Sequence, residues 1–417
     1  MALVVQKYGG SSVGSTERIL AVARRLIAAS DRGDSVVAVV SAMGDVTDEL
    51  LDKAHAISAE PPEREMDMLL ATGEQVTIAL LAMAIHAQGH EAISLTGAQA
   101  GIVSDASHTK ARIQEVRADR VADALDAGNI VIVAGFQGLS PEGEITTLGR
   151  GGSDTTAVAA GLRADVCEIY TDVDGVYTAD PRVEPAARKV DIISYEEMLE
   201  MASTGARVLQ LRSVEFARNH GVIIHVRSSF NDSEGTIVRE ADETMEQAII
   251  SGVTHDTSEA KVTVRDVPDR PGVAAVVFGR LADANVNVDM IIQNVSEEGT
   301  TDISFTTPKE DLVRAKRAVA DVVEELGART FSIDEDVAKV SLVGAGMKTH
   351  PGVAALMFRA LADAGVNLDM ISTSSIRISC VIGAEQVQAA VRALHAAFGL
   401  AEYEVTAEIA PAAPPEG

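Results

Sequence analysis

A repeat near the C-terminus most restricts how this 417-residue chain folds. The segment PGVAAVVFGRLADANVNVDMI at 271–291 returns as PGVAALMFRALADAGVNLDMI at 351–371, identical at 15 of 21 positions after an offset of 80 residues. Such an offset makes each copy one small domain. A strand-like run, KVTV or KVSLV, precedes each copy, and two further strands and a helix, at 311–326 and 385–398, follow it. The order β-α-β-β-α, with room for a final strand, predicts a ferredoxin-like βαββαβ arrangement in both.

The chain is longer than the roughly 250 to 300 residues at which single cores stop growing, so two or three domains are expected. Before the repeat, β-like runs at 3–7, 35–42, 91–95, 129–135, 166–171 and 222–226 alternate with amphipathic stretches such as 15–29 and 64–88. This alternation predicts a three-layer α/β domain, and runs apolar on both faces, VVAVV and IVIVAG, suit a mostly parallel sheet covered by helices. The polar stretch 228–246 reads as a linker. The expected boundaries are 1–245 for the α/β domain, 246–335 and 336–410 for the two copies, with strands free to exchange between them, and 411–417 for a mobile Ala/Pro-rich tail.

With 35 Lys plus Arg against 62 Asp plus Glu, the formal charge of −27 opposes nucleic acid and anionic lipid as partners. No uninterrupted apolar run approaches the roughly 18 residues of a membrane helix, and nothing in MALVVQKYGG directs export, so the cytoplasm is the expected location. Cys167 and Cys380 stand in apolar stretches without CxxC spacing and read as buried free thiols. The nine histidines form no HExxH pattern, and no dedicated metal cluster is visible. An anionic substrate must therefore meet positive charge concentrated in one site.

Two motifs offer that, and a third could face the same ligand. In VVQKYGGSSVGS a strand ends at Lys7 and meets Gly9, Gly10 and a helix, so that backbone amides and an ammonium face the same anion. A tight turn with a surface lysine is the alternative. In TTLGRGGSDTTAVAA, Arg150 stands among Gly149, Gly151 and Gly152, with Ser153 and Asp154 opening a helix, and its guanidinium can fork onto a carboxylate. A glycine turn capped by Ser153 is the plainer reading. Both lie at strand-to-helix junctions, where α/β ligand sites gather. The third, EIYTDVDGVYTADPR, can line a nucleotide or form a solvated acidic turn.

Together KYGGSS, GRGGSDT and TDVDGVYTADPR resemble the signatures of the aspartate kinases of the amino-acid-kinase family, and the repeated copies resemble that family's paired ACT domains. The resemblance covers essentially the whole chain. It implies ATP-dependent transfer of a phosphoryl group to the side-chain carboxylate of L-aspartate, the first step toward lysine, threonine and methionine. Lys7 and Asp154 would be catalytic. Lys7, Gly9, Gly10, Ser41, Thr171, Asp172, Tyr177, Asp180, Pro181, Arg182 and Arg207 would contact ATP, whose Mg²⁺ would arrive with it. Ser41, Thr47, Glu74, Arg150, Gly152 and Ser153 would hold aspartate, Glu74 through the α-amino group.

Lysine, threonine or both would be read by Asp269, Gly272, Ala274, Asn287, Gln293 and Ser296 in one copy and by His350, Val353, Asn367, Ser374 and Ser375 in the other. Their sites would form where ACT domains of two subunits meet, in a homo- or hetero-oligomer, and a separate regulatory subunit could start at Met245. Three departures from the family pattern stand out. Arg207 replaces a lysine, Ser375 replaces a glutamate, and the interval after GRGGSD is about two residues shorter, which would re-phase the following helix by roughly 200°. A silent amino-acid sensor or a related small-acid kinase are the competing readings.

Overall fold

The structure, a computed structural model, describes residues 2–148, 163–242, 249–294 and 299–401. Two compact units divide the chain: Met1–Val176, Lys189–Ala202 and Arg207–Met245 form the first, and Tyr177–Arg188, Ser203–Ala206 and Glu246–Gly417 the second.

In the first unit an eight-stranded sheet is built from β1 (Leu3–Tyr8), β2 (Ser35–Val40), β3 (Ala92–Leu95), β6 (Ile130–Ala134), β9 (Val166–Thr171), β10 (Ile192–Ser194), β11 (Ile224–Ser228) and β12 (Thr236–Arg239). Its order is β10-β12-β11-β9-β1-β2-β6-β3, and every pairing is parallel except β11 with β12. The expected mostly parallel sheet is present. The linker expectation for 228–246 needs correcting, because β12 lies inside it and pairs with two strands. Four residues, TIVR, are too few for an alternation to show in a polar stretch.

Helices α1 (Thr16–Asp31), α2 (Val46–Ile57), α3 (Glu63–His86) and α4 (Asp119–Asp126) follow in chain order. Ser15 caps α1 by accepting from the Arg18 N–H at 3.3 Å. Ile19, Val22 and Leu26 of α1 share one core with Ile78, Leu81 and Ile85 of α3 and with Val36, Ala38 and Val40 of β2. The alternate residues Val37 and Val39 are buried too, as a central strand requires. Helix α3 is long and apolar enough to cross a bilayer, but about half of it is buried in the protein. It reads as a core helix. Four short strands, β4 (Ile102–Ser104), β5 (Ile113–Val116), β7 (Gln137–Leu139) and β8 (Ile145–Thr147), make a separate sheet that the sequence did not announce.

The second unit carries both repeat copies. Strands β14 (Glu259–Pro268), β15 (Ile291–Gln293), β16 (Thr300–Pro308) and β17 (Thr330–Asp334) form a sheet of order β15-β16-β14-β17, with helices Val273–Asp283 and Leu312–Leu326. The chain order is βαββαβ, as expected. The second copy departs from this order: its described residues run βαββα, with β18 (Val337–Val343), β19 (Met370–Thr373), β20 (Arg377–Gly383) and helices Val353–Asp363 and Val387–Ala397. Its fourth strand is β13 (Gly252–Asp256), which precedes the first copy in sequence and pairs antiparallel with β18. Gly272 and Gly352 enter the two first helices at φ of 98° and 102°, where a β-carbon would be strained.

Candidate active site in the first unit

The strand order turns about β1: β2, β6 and β3 lie to one side, β9, β11, β12 and β10 to the other. Crevices beyond the carboxyl ends of strands at such a turn are where α/β sheets bind ligands. Tyr8 ends β1 opposite Val40 of β2 and Tyr170 of β9, so Lys7, Gly9, Gly10, Ser41, Thr171 and Asp172 meet at this edge. The Ser41 N–H donates to the Tyr8 carbonyl at 3.0 Å and the Gly44 N–H to that of Gly10 at 3.1 Å, tying the two loops together. The tyrosine rings of Tyr8 and Tyr170 stack at 4.8 Å, with the Arg25 guanidinium over Tyr170, and close the floor.

The Ala42 loop approaches its neighbours so closely that a side chain at Gly10 or Gly73 would crowd it. A β-carbon on Gly10 would lie 3.1 Å from the carbonyl oxygens of Ala42 and Gly44, and one on Gly73 would come within 2.8 Å of the Ala42 β-carbon. One on Gly9 would stand 3.6 Å from Lys7 Nζ, which places that ammonium over the glycine turn. Lys7 and Gly9 thus present a cation and open backbone to one anion.

Glu74 stands in α3 next to Gly73 and is 2% exposed. Its Oε1 accepts from the Ala42 N–H at 3.1 Å, whereas Oε2 is buried and has no hydrogen-bond partner among the described residues. Burial pushes its carboxyl up to about 7, against the pull of its hydrogen bonds. A buried carboxylate oxygen without a partner among the described residues, on the acid that holds the Ala42 loop, is suited to a cation that comes from outside the chain. Thr47 lies in the first turn of α2, half-buried, where N–H groups are left open.

Seven residues before Glu74, on the same face of α3, Asp67 is fully buried. It accepts from His108 Nδ1 at 2.6 Å, from the Thr109 N–H at 3.0 Å and from Thr147 Oγ1 at 2.5 Å. This fixes the end of β8, just before the GRGGSD segment. The sequence reading missed it; two acids seven apart on an apolar helix face were the available signal.

Arg150, Gly152, Ser153 and Asp154, with the shortened interval after them, lie outside the described residues, as do Ser296, Met245 and the tail. Arg207 is exposed in the first unit. Tyr177, Asp180, Pro181 and Arg182 belong to the second unit, where Arg182 grips Asp180 through Nε to Oδ1 at 3.0 Å and Nη2 to Oδ2 at 2.7 Å and holds that carboxyl below its ordinary value.

The effector candidates stand on the turns and edge strands of the two copies. Asp269, Gly272, Ala274, Asn287, Gln293, Asn367, Ser374 and Ser375 are exposed, and His350 bonds the Gly346 carbonyl at 2.8 Å. Val353 has its side chain in the core, so only its amide can face a ligand. Cys167 and Cys380 are both buried, and burial pushes the Cys380 thiol up to about 12.

The family model described as the amino acid kinase family matches residues 2–228, and that of the ACT domain matches 262–322 and 340–398. An aspartokinase of Mycolicibacterium smegmatis is 56% identical over 407 residues, 96% of this chain and 97% of that one. Among solved structures, aspartate kinase from Synechocystis is 46% identical with a TM-score of 0.53, covering 95% of this chain and 70% of that one. Aspartokinase III of E. coli, solved in complex with aspartate and ADP, shares 24% identity and a TM-score of 0.81 over 95% of this chain and all of its own; its complex with lysine and aspartate gives 0.72. Matched by the family model over more than half its length and by a curated relative over nearly all of it, the chain belongs to the aspartokinases, ATP-dependent kinases of the amino acid kinase family.

Proposed function

We propose that the chain transfers the ATP γ-phosphoryl group to the side-chain carboxylate of L-aspartate and yields β-aspartyl phosphate and ADP. The observation that carries this reading is the buried Oε2 of Glu74, without a partner among the described residues, on the carboxylate that holds the Ala42 loop packed against Gly10. An α-ammonium is a cation that would complete it, while Thr47, Ser41, Arg150, Gly152 and Ser153 would receive the two carboxylates.

The side-chain carboxylate has a pKa near 3.9 in free aspartate, so at neutral pH it is already the nucleophile and no base is required. One oxygen–phosphorus bond forms as the bond from γ-phosphorus to the bridging oxygen breaks. The obstacle is repulsion between anions, which Lys7 and the amides of Gly9 and Gly10 would relieve, with Asp154 orienting Lys7. Thr171 and Asp172, with Tyr177, Asp180, Pro181, Arg182 and Arg207, are the proposed nucleotide contacts. Magnesium would ride on the phosphates and keep much of its water shell.

The same reading assigns 1–245 to catalysis and the copies at 246–335 and 336–410 to feedback control by lysine, threonine or both, in an oligomer joined through the ACT domains. Hydroxamate trapping of the acyl phosphate tests the catalytic part. Signal with L-aspartate but not L-glutamate, dependent on ATP and Mg²⁺ and lost in Lys7→Ala, is expected; ATP binding without turnover in the folded parent protein would leave a silent sensor instead.

A further inference from the structure

The two repeat copies share more than a fold. Met290, Met370, Val337 and Val381 bury together as one cluster joining them, with Ile292 packed against it. The sheet registers identify equivalent positions. Ile291 faces Phe305 and Ile371 faces Cys380; Phe305 in turn faces Val262, and Cys380 faces Val340. Lys261 and Lys339, one residue before those valines, are therefore counterparts, as are Asp289 and Asp369, 80 residues apart.

Each lysine reaches the other copy's aspartate. Lys339 Nζ bonds Asp289 Oδ2 at 2.5 Å, and Lys261 bonds Asp369. The aspartates are also pinned in their own copies, because the Asp289 N–H donates to the Thr306 carbonyl at 3.1 Å and the Asp369 N–H to that of Val381 at 2.8 Å. Both stand two residues after the exposed Asn287 or Asn367 and just before the edge strand β15 or β19. The lysines, by contrast, sit in β14 and β18, which are central strands. The pairs are not identical: Lys339 is 1% exposed and also bonds Glu259 at 2.6 Å, whereas Lys261 is 20% exposed.

We propose that these crossed ion pairs couple the amino-acid-reading segments of the two copies, so that an effector bound in one changes the affinity of the other. Lys261 and Lys339 are positioning residues: a ligand that shifts 287–293 pulls Asp289 against a lysine held in the middle of the other copy's sheet, and the reverse holds for Asp369. The proposal rests on the reading that both copies bind an effector.

The test uses the full chain with L-lysine and L-threonine as probes. Inhibition by each is measured at fixed concentrations of the other, giving the factor by which one shifts the half-inhibitory concentration of its companion. By linkage that factor is the same in both directions for binding, and about 5-fold or more is expected. Lys261→Met and Asp369→Asn should each bring it toward 1 with effector-free kcat and KM unchanged. The double variant should do no more, and the exchanged pair Lys261→Asp/Asp369→Lys should restore it, which a loss of packing would not allow. Coupling that survives both single variants, or independent action of two bound effectors in the parent, overturns the proposal. Titration calorimetry in which neither amino acid binds the parent would overturn the effector reading itself.

Discussion

Replacing Glu74 by glutamine tests the site through stability as well as activity. Burial lifts the Glu74 carboxyl from its ordinary 4.5 to about 7. Between those pH values the folded protein keeps a proton that the unfolded chain has released, so stability falls as pH rises through the window, and the loss is complete above it. At 1.36 kcal/mol per pH unit the loss amounts to about 3 kcal/mol. Glutamine keeps the shape and an oxygen for the Ala42 N–H but cannot ionise. Relative to the ligand-free parent, Glu74→Gln should therefore gain about 3 kcal/mol between pH 4.5 and pH 8. The chain has no tryptophan, so urea unfolding followed by circular dichroism at a series of pH values is the assay. Calorimetry gives a second reading: if the α-ammonium of aspartate pairs with Oε2, binding at pH 6 should expel about 0.9 proton from the parent and none from the variant. Parallel stability curves for the two proteins would refute the burial argument; aspartate binding without proton release would refute the assignment to the ammonium.

Gly73→Ala should lower kcat/KM for aspartate and cost about 1–3 kcal/mol in urea unfolding, because its β-carbon would meet that of Ala42 at 2.8 Å and push α3 from the loop. Gly10→Ala, crowding two carbonyl oxygens at 3.1 Å, should raise the KM for ATP more than that for aspartate in steady-state assays. Lys339→Met leaves Glu259 and Asp289 without their ammonium and should cost about 3 kcal/mol, much of it recovered in Lys339→Met/Glu259→Met, as thermal unfolding would show. Asp67→Asn should cost about 2 kcal/mol by weakening three hydrogen bonds and should raise the KM for aspartate by loosening the end of β8.

What the sequence disclosed follows from how far apart the cooperating residues lie. Runs such as VVAVV carry their own burial pattern, and a repeat displays itself, so the parallel sheet and both copies were legible. Strands of three or four residues, β4, β5, β7, β8 and β12, are too short to show a period, and β13 pairs with a strand more than eighty residues on. Nothing local in GVTHD tells which copy it completes. The charged core residues were hardest to read. Lys339 looks like the start of a strand until Glu259 and Asp289 are placed around it, and Asp67 looks like a helix-surface acid until His108 and Thr147 arrive. In both, the chain supplies the partners, so the cost of burial is offset within the fold. At Glu74 the described residues supply one N–H and leave the other oxygen without a partner. Burial that raises the carboxyl to about 7 stabilises nothing in the empty protein, and a cation at Oε2 would relieve it. The imbalance itself is the argument for a ligand: a group that weakens the fold when ionised is best explained by the partner that binds it.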